Sequence, residues 1–400
     1  MQSPTYAVWS AFFNWKGETL KFIHISDLHI GKRVNEFSMV EDQKYILNEI
    51  LDVIQREQPD GILMAGDLYD KPVPPAEAVS LLDEFFTRLA DLEISVFAVS
   101  GNHDSAERIA FGSRLMNSRG VYVSPVYNGT IEKISMEDSY GQVWVYLMPF
   151  LRPVAVRRFF PEEEIHTYHQ AVETAISHLS IDRTKRNVLV AHQFVTGASR
   201  CESEEISVGG MDQVDSSVFE DFDYVALGHL HSPQHVGRKE IRYCGTPLKY
   251  SFSEAEQEKS LTVVELKEKG EVELRTIPLK PLRDMRKVKG TYLQVTDRSF
   301  YQNTNTEDYL KITLTDEEDI PDGMQKLRII YPNLMRLEYD NRRTREQQNV
   351  EGARAVEEKT SLELFEEFYF LQNNQEMSSQ QRTWVKHLME ELQEKEGRKP

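Results

Sequence analysis

Cysteine is scarce in this 400-residue sequence: Cys201 and Cys244 are the only two, too few for a disulfide framework or a cysteine metal site. That scarcity points to a reducing cytoplasm. No run approaches the roughly 18 apolar residues of a membrane span, so an integral membrane protein is not expected. Basic residues are in deficit, 47 Lys plus Arg against 65 Asp plus Glu, for a net charge of −18. A surface this acidic does not coat nucleic acid by bulk charge, and any such contact must use local basic patches. There is no GxxxxGK[ST] nucleotide loop, so an ATP-driven activity would need another subunit. Internal repeats and low-complexity tracts are absent as well. The N-terminal stretch has no basic residues ahead of its apolar patch and no small-residue cleavage pattern, which argues against a signal peptide. Lys16, Gly17 and Glu18 can be encoded as a ribosome-binding site and Leu20 as a TTG start. Residues 1–19 are therefore expected to be a translated leader or a disordered extension.

What is present is a chain long enough for two domains, or one large domain with appendages, with the 40% hydrophobic share of a folded protein. From Leu20 onward, short apolar runs alternate with helical periodicity, the pattern of an α/β domain. The runs are FIHIS (22–26), GILMAG (61–66), VFAVSG (96–101), VWVYLMPF (143–150), NVLVAH (187–192) and DYVALGH (223–229). Helices are expected over 40–58, burying Ile46, Leu47, Ile50, Leu51 and Ile54, and over 75–92, burying Val79, Leu82, Phe86 and Leu89. A third is expected over 162–180. A boundary is placed near Pro278, after SLTVVEL (260–266). Beyond it GTYLQVT, DYLKITLT and LRIIYP read as strands of a smaller α+β domain ending near Asp340, followed by a polar, exposed linker over 341–358. Two helices close the chain. Thr360 and Glu363 make a capping-box pattern before a stripe of Leu362, Phe365, Phe368, Tyr369 and Leu371, and Trp384, Val385, Leu388, Met389 and Leu392 align on the second.

The chemistry lies where the apolar runs end. Five of them are followed at once by metal-competent side chains: Asp27 and His29, Asp67, Asn102 with His103 and Asp104, His192, and His229 with His231. Ligands of open α/β sheets bind beyond the carboxyl ends of the strands, so these residues can converge on one site. Imidazole and carboxylate suit two divalent ions of the manganese, iron or zinc kind, and Asp67 has two oxygens with which to bridge such a pair. Gly66, Gly101 and Gly228 precede the ligands and permit close backbone approach. A lone DxH or GD is weak, because a buried Asp or His is more often a hydrogen-bonded structural residue. The weight rests on five motifs in order, each after a strand. His166, His169, His178 and His387 fall on helical stretches without ligand context, and His24 and His235 are read as structural.

The series DxH, GD, GNHD, H and GHxH resembles the calcineurin-like metallophosphoesterase superfamily over roughly residues 21–250. Within it the chain is similar to the D-subunit family of the bacterial SbcCD exonucleases, through ISDLHIGK, AGDLYD followed by PVPP, GNHDSAER, and GHLHSPQ leading to YCGTPLKYSFSE. One departure is Asp70, where archaeal relatives carry a histidine. The resemblance implies a four-layer β-sandwich flanked by helices over 20–278, a small α+β capping domain over 279–340, a linker, and a helical hairpin over 359–400 that docks an SbcC-type SMC-like ATPase. It implies one metal on Asp27, His29, Asp67 and His231, and another on Asp67, Asn102, His192 and His229, with two Mn2+ as the cofactors. His103 would assist the leaving sugar oxygen as a general acid, with Asp104 orienting its imidazole.

The implied activity is exonuclease and endonuclease hydrolysis of DNA in end processing, repair, recombination and replication, by a homodimer within a heterotetramer. Candidate DNA contacts are Lys32 with Arg33, Arg152 with Arg157 and Arg158, the cluster Lys280, Arg283, Arg286, Lys287 and Lys289, and Arg342, Arg343 and Arg345, although charge runs are usually solvated faces. The competing readings are a small-molecule phosphodiesterase or phosphatase with the same core, and a scaffold that has lost its metals.

Overall fold

The apolar runs are short, rich in β-branched and aromatic residues, and closed by glycine or polar positions, which favours strands. In the computed structural model, which describes residues 9–10, 18–199, 201–202, 204, 213–342, 344, 362, 365–366, 369 and 376–396, they sort into two sheets. The first has the order Val272–Pro278, Ser260–Leu266, Leu20–Ile25, Gly61–Ala65, Ser95–Val99, Val121–Val123. Its last four strands are parallel, whereas Ser260–Leu266 is antiparallel to both neighbours. The second has the order Trp9–Ser10, Glu132–Asp138, Gly141–Met148, Arg186–His192, Tyr224–Gly228, Arg238–Tyr243, Gln234–Val236. Its four strands from Gly141–Met148 to Arg238–Tyr243 are parallel. Trp9 and Ser10, inside the expected leader, pair with Ile134 and Ser135 at the edge of this sheet. Most of the remaining leader lies outside the described residues.

Side chains alternate across each strand, and both faces are apolar. Phe22, Leu63 and Phe97 of the first sheet meet Val145, Val188 and Tyr224 of the second in one cluster between the sheets. Their neighbours Ile23, Ile62 and Met64 face outward onto the helices Val40–Glu57 and Ala76–Asp91. Leu189 and Val225 face outward with Val172 and Ile176 of the helix Tyr168–Ser177. Each such large apolar side chain contributes about 1.5–3 kcal/mol on burial. At the amino ends of the strands the two sheets share a buried ion pair: Asp138 accepts from Arg186 at 2.9 Å and from the backbone N–H of Leu20 at 2.8 Å.

The five residues expected to face the core on Val40–Glu57 are all buried. On Ala76–Asp91 the buried face is instead Ala78, Leu81, Leu82, Phe85 and Leu89, while Val79 is 44% exposed. Two apolar residues adjoin at Phe85 and Phe86, and only the position of the sheet selects between the two stripes. The third helix is shorter than expected because Thr167 and Gln170 form a capping box that starts it at Tyr168.

The chain divides into two compact units, and the first comprises residues up to Lys287 together with 305–311 and 328–336. The second, formed by 288–304, 312–327 and 337 onward, holds the carboxyl ends of three strands, Met285–Gly290, Tyr309–Leu314 and Leu334–Tyr339, paired in that order. Two expected strands of this region are not strands. GTYLQVT contains the helix Tyr292–Thr296, because Thr291 and Gln294 form a capping box that overrides the β-propensity of the run. LRIIYP begins inside the helix Gly323–Arg328, which takes its Leu327 and Arg328, and its Ile329 is 85% exposed rather than half of an alternating pattern. Asn341, expected at the start of an exposed linker, is buried and donates to the Asp316 carbonyl at 3.1 Å. Most of the expected linker and of the first closing helix lies outside the described residues. The second closing helix is Ser379–Glu396, with Trp384 67% exposed. Among the described residues no helix is long and apolar enough to cross a membrane.

Candidate metal centre

Parallel pairing within each sheet brings the carboxyl ends of successive strands to one edge. Leu20–Ile25 is followed by Asp27 and His29, Gly61–Ala65 by Asp67, and Ser95–Val99 by Asn102 and His103. In the other sheet His192 ends its strand opposite Gly228, and His229 and His231 follow. Asp27, His29, Asp67 and His229 all have positive φ, at 53°, 44°, 49° and 104°. Non-glycine residues adopt this region only when the surroundings compel it, and such strain concentrates at functional sites. Gly228 is required by close approach: a Cβ there would collide with the Ala65 carbonyl oxygen, the very acceptor that faces His192 Nδ1 at 2.8 Å.

Two groups of donors result. His29 Nε2 lies 3.2 Å from His231 Nε2 and 3.7 Å from Asp67 Oδ2, and Asp27 joins the two imidazoles in a cluster whose ligand atoms all lie within 4.8 Å of one another. His192 Nε2 lies 3.3 Å from Asp67 Oδ2 and 2.9 Å from Asn102 Oδ1, which is in turn 3.0 Å from His229 Nδ1. Asp67 Oδ2 therefore faces both groups. All seven residues expected as ligands from the sequence come together. His103 sits beside them, with its Nε2 4.0 Å from Asp67 Oδ2, close enough to form a third cluster with His29 and Asp67.

Burial and mutual charge shape the electrostatics. Burial pushes Asp27 above the usual carboxylate range, partly offset by His192 and His231. Burial would also raise Asp67, but the charge and hydrogen bond of His192, aided by His29 and His103, overcome it and hold the carboxyl low. For His192 burial works downward, yet Asp67 and Asp27 lift it to about 9. His29 is held well below its ordinary value by burial. Burying this many ionisable groups costs several kcal/mol unless a cation or a proton satisfies them.

The residues fit divalent cations. Imidazole nitrogens face one another and a shared carboxylate, a donor set without an intervening lysine or arginine among the described contacts, and neutral nitrogen with ionised oxygen is what borderline divalent ions take. His29 Nδ1 is buried without a hydrogen-bond partner.

One expected role is corrected. Asp104 does not orient the His103 imidazole: its carboxylate accepts the backbone N–H groups of Leu68, Tyr69 and Gly101 at 3.1, 2.9 and 2.9 Å, tying the two ligand loops together. Burial and the Asp67 charge push it up to about 6. The His103 ring is set instead by Asp70, whose backbone carbonyl lies 3.1 Å from Nδ1. Sequence reasoning also missed a frame around His231. Glu204 accepts its backbone N–H at 2.6 Å, Lys259 donates to its carbonyl at 2.9 Å, and Glu254 Oε1 lies 3.8 Å from its Nδ1. Glu254 ends YCGTPLKYSFSE, the one signal that could have exposed it. The basic cluster after Lys280 is largely spent on ion pairs, Arg283 with Asp42 and Arg286 with Asp308. Arg152, by contrast, is exposed and lies 5.7 Å from the Phe150 ring, which stacks on His229 at 6.4 Å.

Comparison with known proteins identifies the family. Residues 20–233 match the calcineurin-like phosphoesterase family, and 281–373 match the type 5 capsule protein repressor C-terminal domain. The chain is 33% identical over 385 residues to the D subunit of the SbcCD nuclease of Staphylococcus epidermidis, covering 94% of this chain and all of that protein. It is 35% identical over 322 residues to the protein of the same name in Staphylococcus saprophyticus, covering 80% of this chain and 84% of that one. A dimetal phosphatase from Danio rerio overlaps 66% of this chain and all of its own, with 13% identity and a TM-score of 0.39. The chain belongs to the calcineurin-like phosphoesterases and, within them, to the family of the SbcCD nuclease D subunits.

Proposed function

We propose that this chain is the metal-dependent nuclease subunit of a DNA end-processing enzyme, hydrolysing phosphodiesters in repair, recombination and replication together with an SMC-like ATPase. The observation that carries this reading is that His29 and His192 both face Asp67 Oδ2, with Asp27 and His231 beside the first and Asn102 and His229 beside the second, in a chain whose relatives are nuclease subunits. Asp27, His29, Asp67 and His231 would hold one ion, and Asp67, Asn102, His192 and His229 the other, with Mn2+ the metal these ligands suit. Two such cations supply Lewis acidity, acidifying water and neutralising charge on the phosphodiester.

The chain's own groups do the rest. His103, held through Nδ1 on the Asp70 carbonyl, presents Nε2 to the metal cluster and is placed to hold a proton for the leaving sugar oxygen. Arg152 offers a charge-assisted contact for a phosphate. Helices packed outside two facing sheets support a four-layer catalytic domain over 20–278, and residues 279–340 would cap it. The segment 359–400 would dock the ATPase through its apolar stripes, the exposed Trp384 among them, and two copies of this chain would sit in a heterotetramer in the cytoplasm.

Purified chain supplied with Mn2+ is expected to degrade labelled DNA far faster than a generic phosphate monoester. Turnover of the monoester alone would favour a small-molecule phosphatase. Deletion from Thr360 onward is expected to spare that basal hydrolysis and abolish co-purification with the ATPase; undiminished binding would remove the docking role.

A further inference from the structure

The two groups of ligands differ in what stands behind their histidines. His192 turns Nδ1 to a neutral backbone carbonyl, that of Ala65, at 2.8 Å. His29 and His231, whose Nε2 atoms face each other, instead have carboxylates on the Nδ1 side. Asp70 Oδ1 lies 3.7 Å from His29 Nδ1, and Glu254 Oε1 lies 3.8 Å from His231 Nδ1. Each carboxylate is in turn held by its own lysine, Asp70 by Lys32 at 2.7 Å and Glu254 by Lys259 at 2.6 Å. The same unit, histidine, carboxylate, lysine, thus occurs twice around one half of the site and is assembled from distant parts of the chain.

We propose that Asp70 and Glu254 are positioning residues for the metal held by Asp27, His29 and His231, each holding the Nδ1 side of one histidine so that its Nε2 points at the ion. This inference rests on the two-metal reading of the site. A histidine that ligates through one nitrogen needs an acceptor for the N–H on the other, and a carboxylate there fixes the ring and strengthens the ligand. The His29 Nδ1 is buried and without a hydrogen-bond partner, and the Asp70 carboxylate faces it at 3.7 Å. Glu254 is fully buried and also within 3.4 Å of the Thr246 hydroxyl. Lys32 and Lys259 anchor the two carboxylates through close ion pairs. The half of the site backed by carboxylates is therefore the tighter one, and the half backed by the Ala65 carbonyl the weaker.

Titration of Mn2+ into the metal-free full chain, followed by calorimetry, tests this. The wild-type chain is expected to take up two ions in distinguishable steps. Asp70→Ala and Glu254→Ala should each weaken the tighter step about 10- to 100-fold and leave the weaker within about threefold, the range for loss of a carboxylate behind a ligand. Glu254→Gln, which keeps an acceptor oxygen, should recover much of the loss. Asp70→Ala leaves the backbone carbonyl on His103 in place. If Glu254→Ala does not fold because Lys259 is stranded, Glu254→Ala/Lys259→Met removes the ammonium and asks the same question. Unchanged uptake of both ions, or equal weakening of both steps, would overturn the proposal. A wild-type chain that binds fewer than two ions would instead refute the two-metal reading beneath it.

Discussion

His29 and His231 bring their Nε2 atoms to 3.2 Å of each other although 202 residues separate them in the chain. Neither ring belongs to the other's sheet. Each stands just beyond the carboxyl end of a parallel strand, and the two strand edges open on the same space. The expected consequences concern the groups that share this space and those that surround it.

Asp67 faces both groups of donors, with Oδ2 3.7 Å from His29 and 3.3 Å from His192. Asp67→Asn is expected to abolish hydrolysis and lower bound metal while the melting temperature stays close to wild type. Metal analysis and a nuclease assay on the same preparation check this. Two equivalents of metal with near-normal turnover would remove Asp67 from the bridging position.

His103 is 18% exposed and lies beside the cluster rather than at its centre. His103→Ala is expected to retain both metals and to lose rate by a factor on the order of a hundred, the usual scale for a lost general acid. A fall in metal content would show that the third cluster, His29 with Asp67 and His103, is a binding site in its own right.

Arg152 is exposed beside Phe150, whose ring stacks on His229. For Arg152→Ala we expect weaker DNA binding with unchanged metal uptake. The slope of log affinity against log salt should shrink by about one, since one phosphate contact is lost. An unaltered slope places this arginine off the path of the substrate.

His24 is fully buried between the sheets, its Nδ1 2.9 Å from the Tyr224 hydroxyl. Burial, with a smaller contribution from the Arg242 charge, lowers its pKa from 6.5 to about 3. In that window the unfolded chain binds a proton that the folded chain refuses, so stability is intact above pH 6.5 and falls as pH drops toward 3. The loss is on the order of a few kcal/mol over the window. Urea unfolding at pH 7.5 and pH 5 measures it, and His24→Phe should flatten the difference between the two; an equally steep difference in the variant assigns the pH dependence to other groups.

Local chemistry made the ligands legible. Each metal-competent residue follows a short apolar run that could be little else than a buried strand, and a strand's carboxyl end has a defined place in a parallel sheet. The order of the motifs therefore brought these residues to one edge of the core without any knowledge of contacts. Tertiary structure decided what lies behind the ligands. Asp104 adjoins His103 in the chain yet serves the backbone of Leu68 and Tyr69, while the His103 ring depends on a carbonyl of the Asp70 loop. Glu254 and Lys259 stand behind His231 only because the chain returns past it after the last motif. Similarly, Phe85 and not Phe86 is buried because the sheet, not the periodicity, chose the face. A side chain's type and the strand before it are written locally, but its hydrogen-bond partner is set by which distant segments pack within about 3 Å, and no pattern of neighbours along the chain encodes that distance.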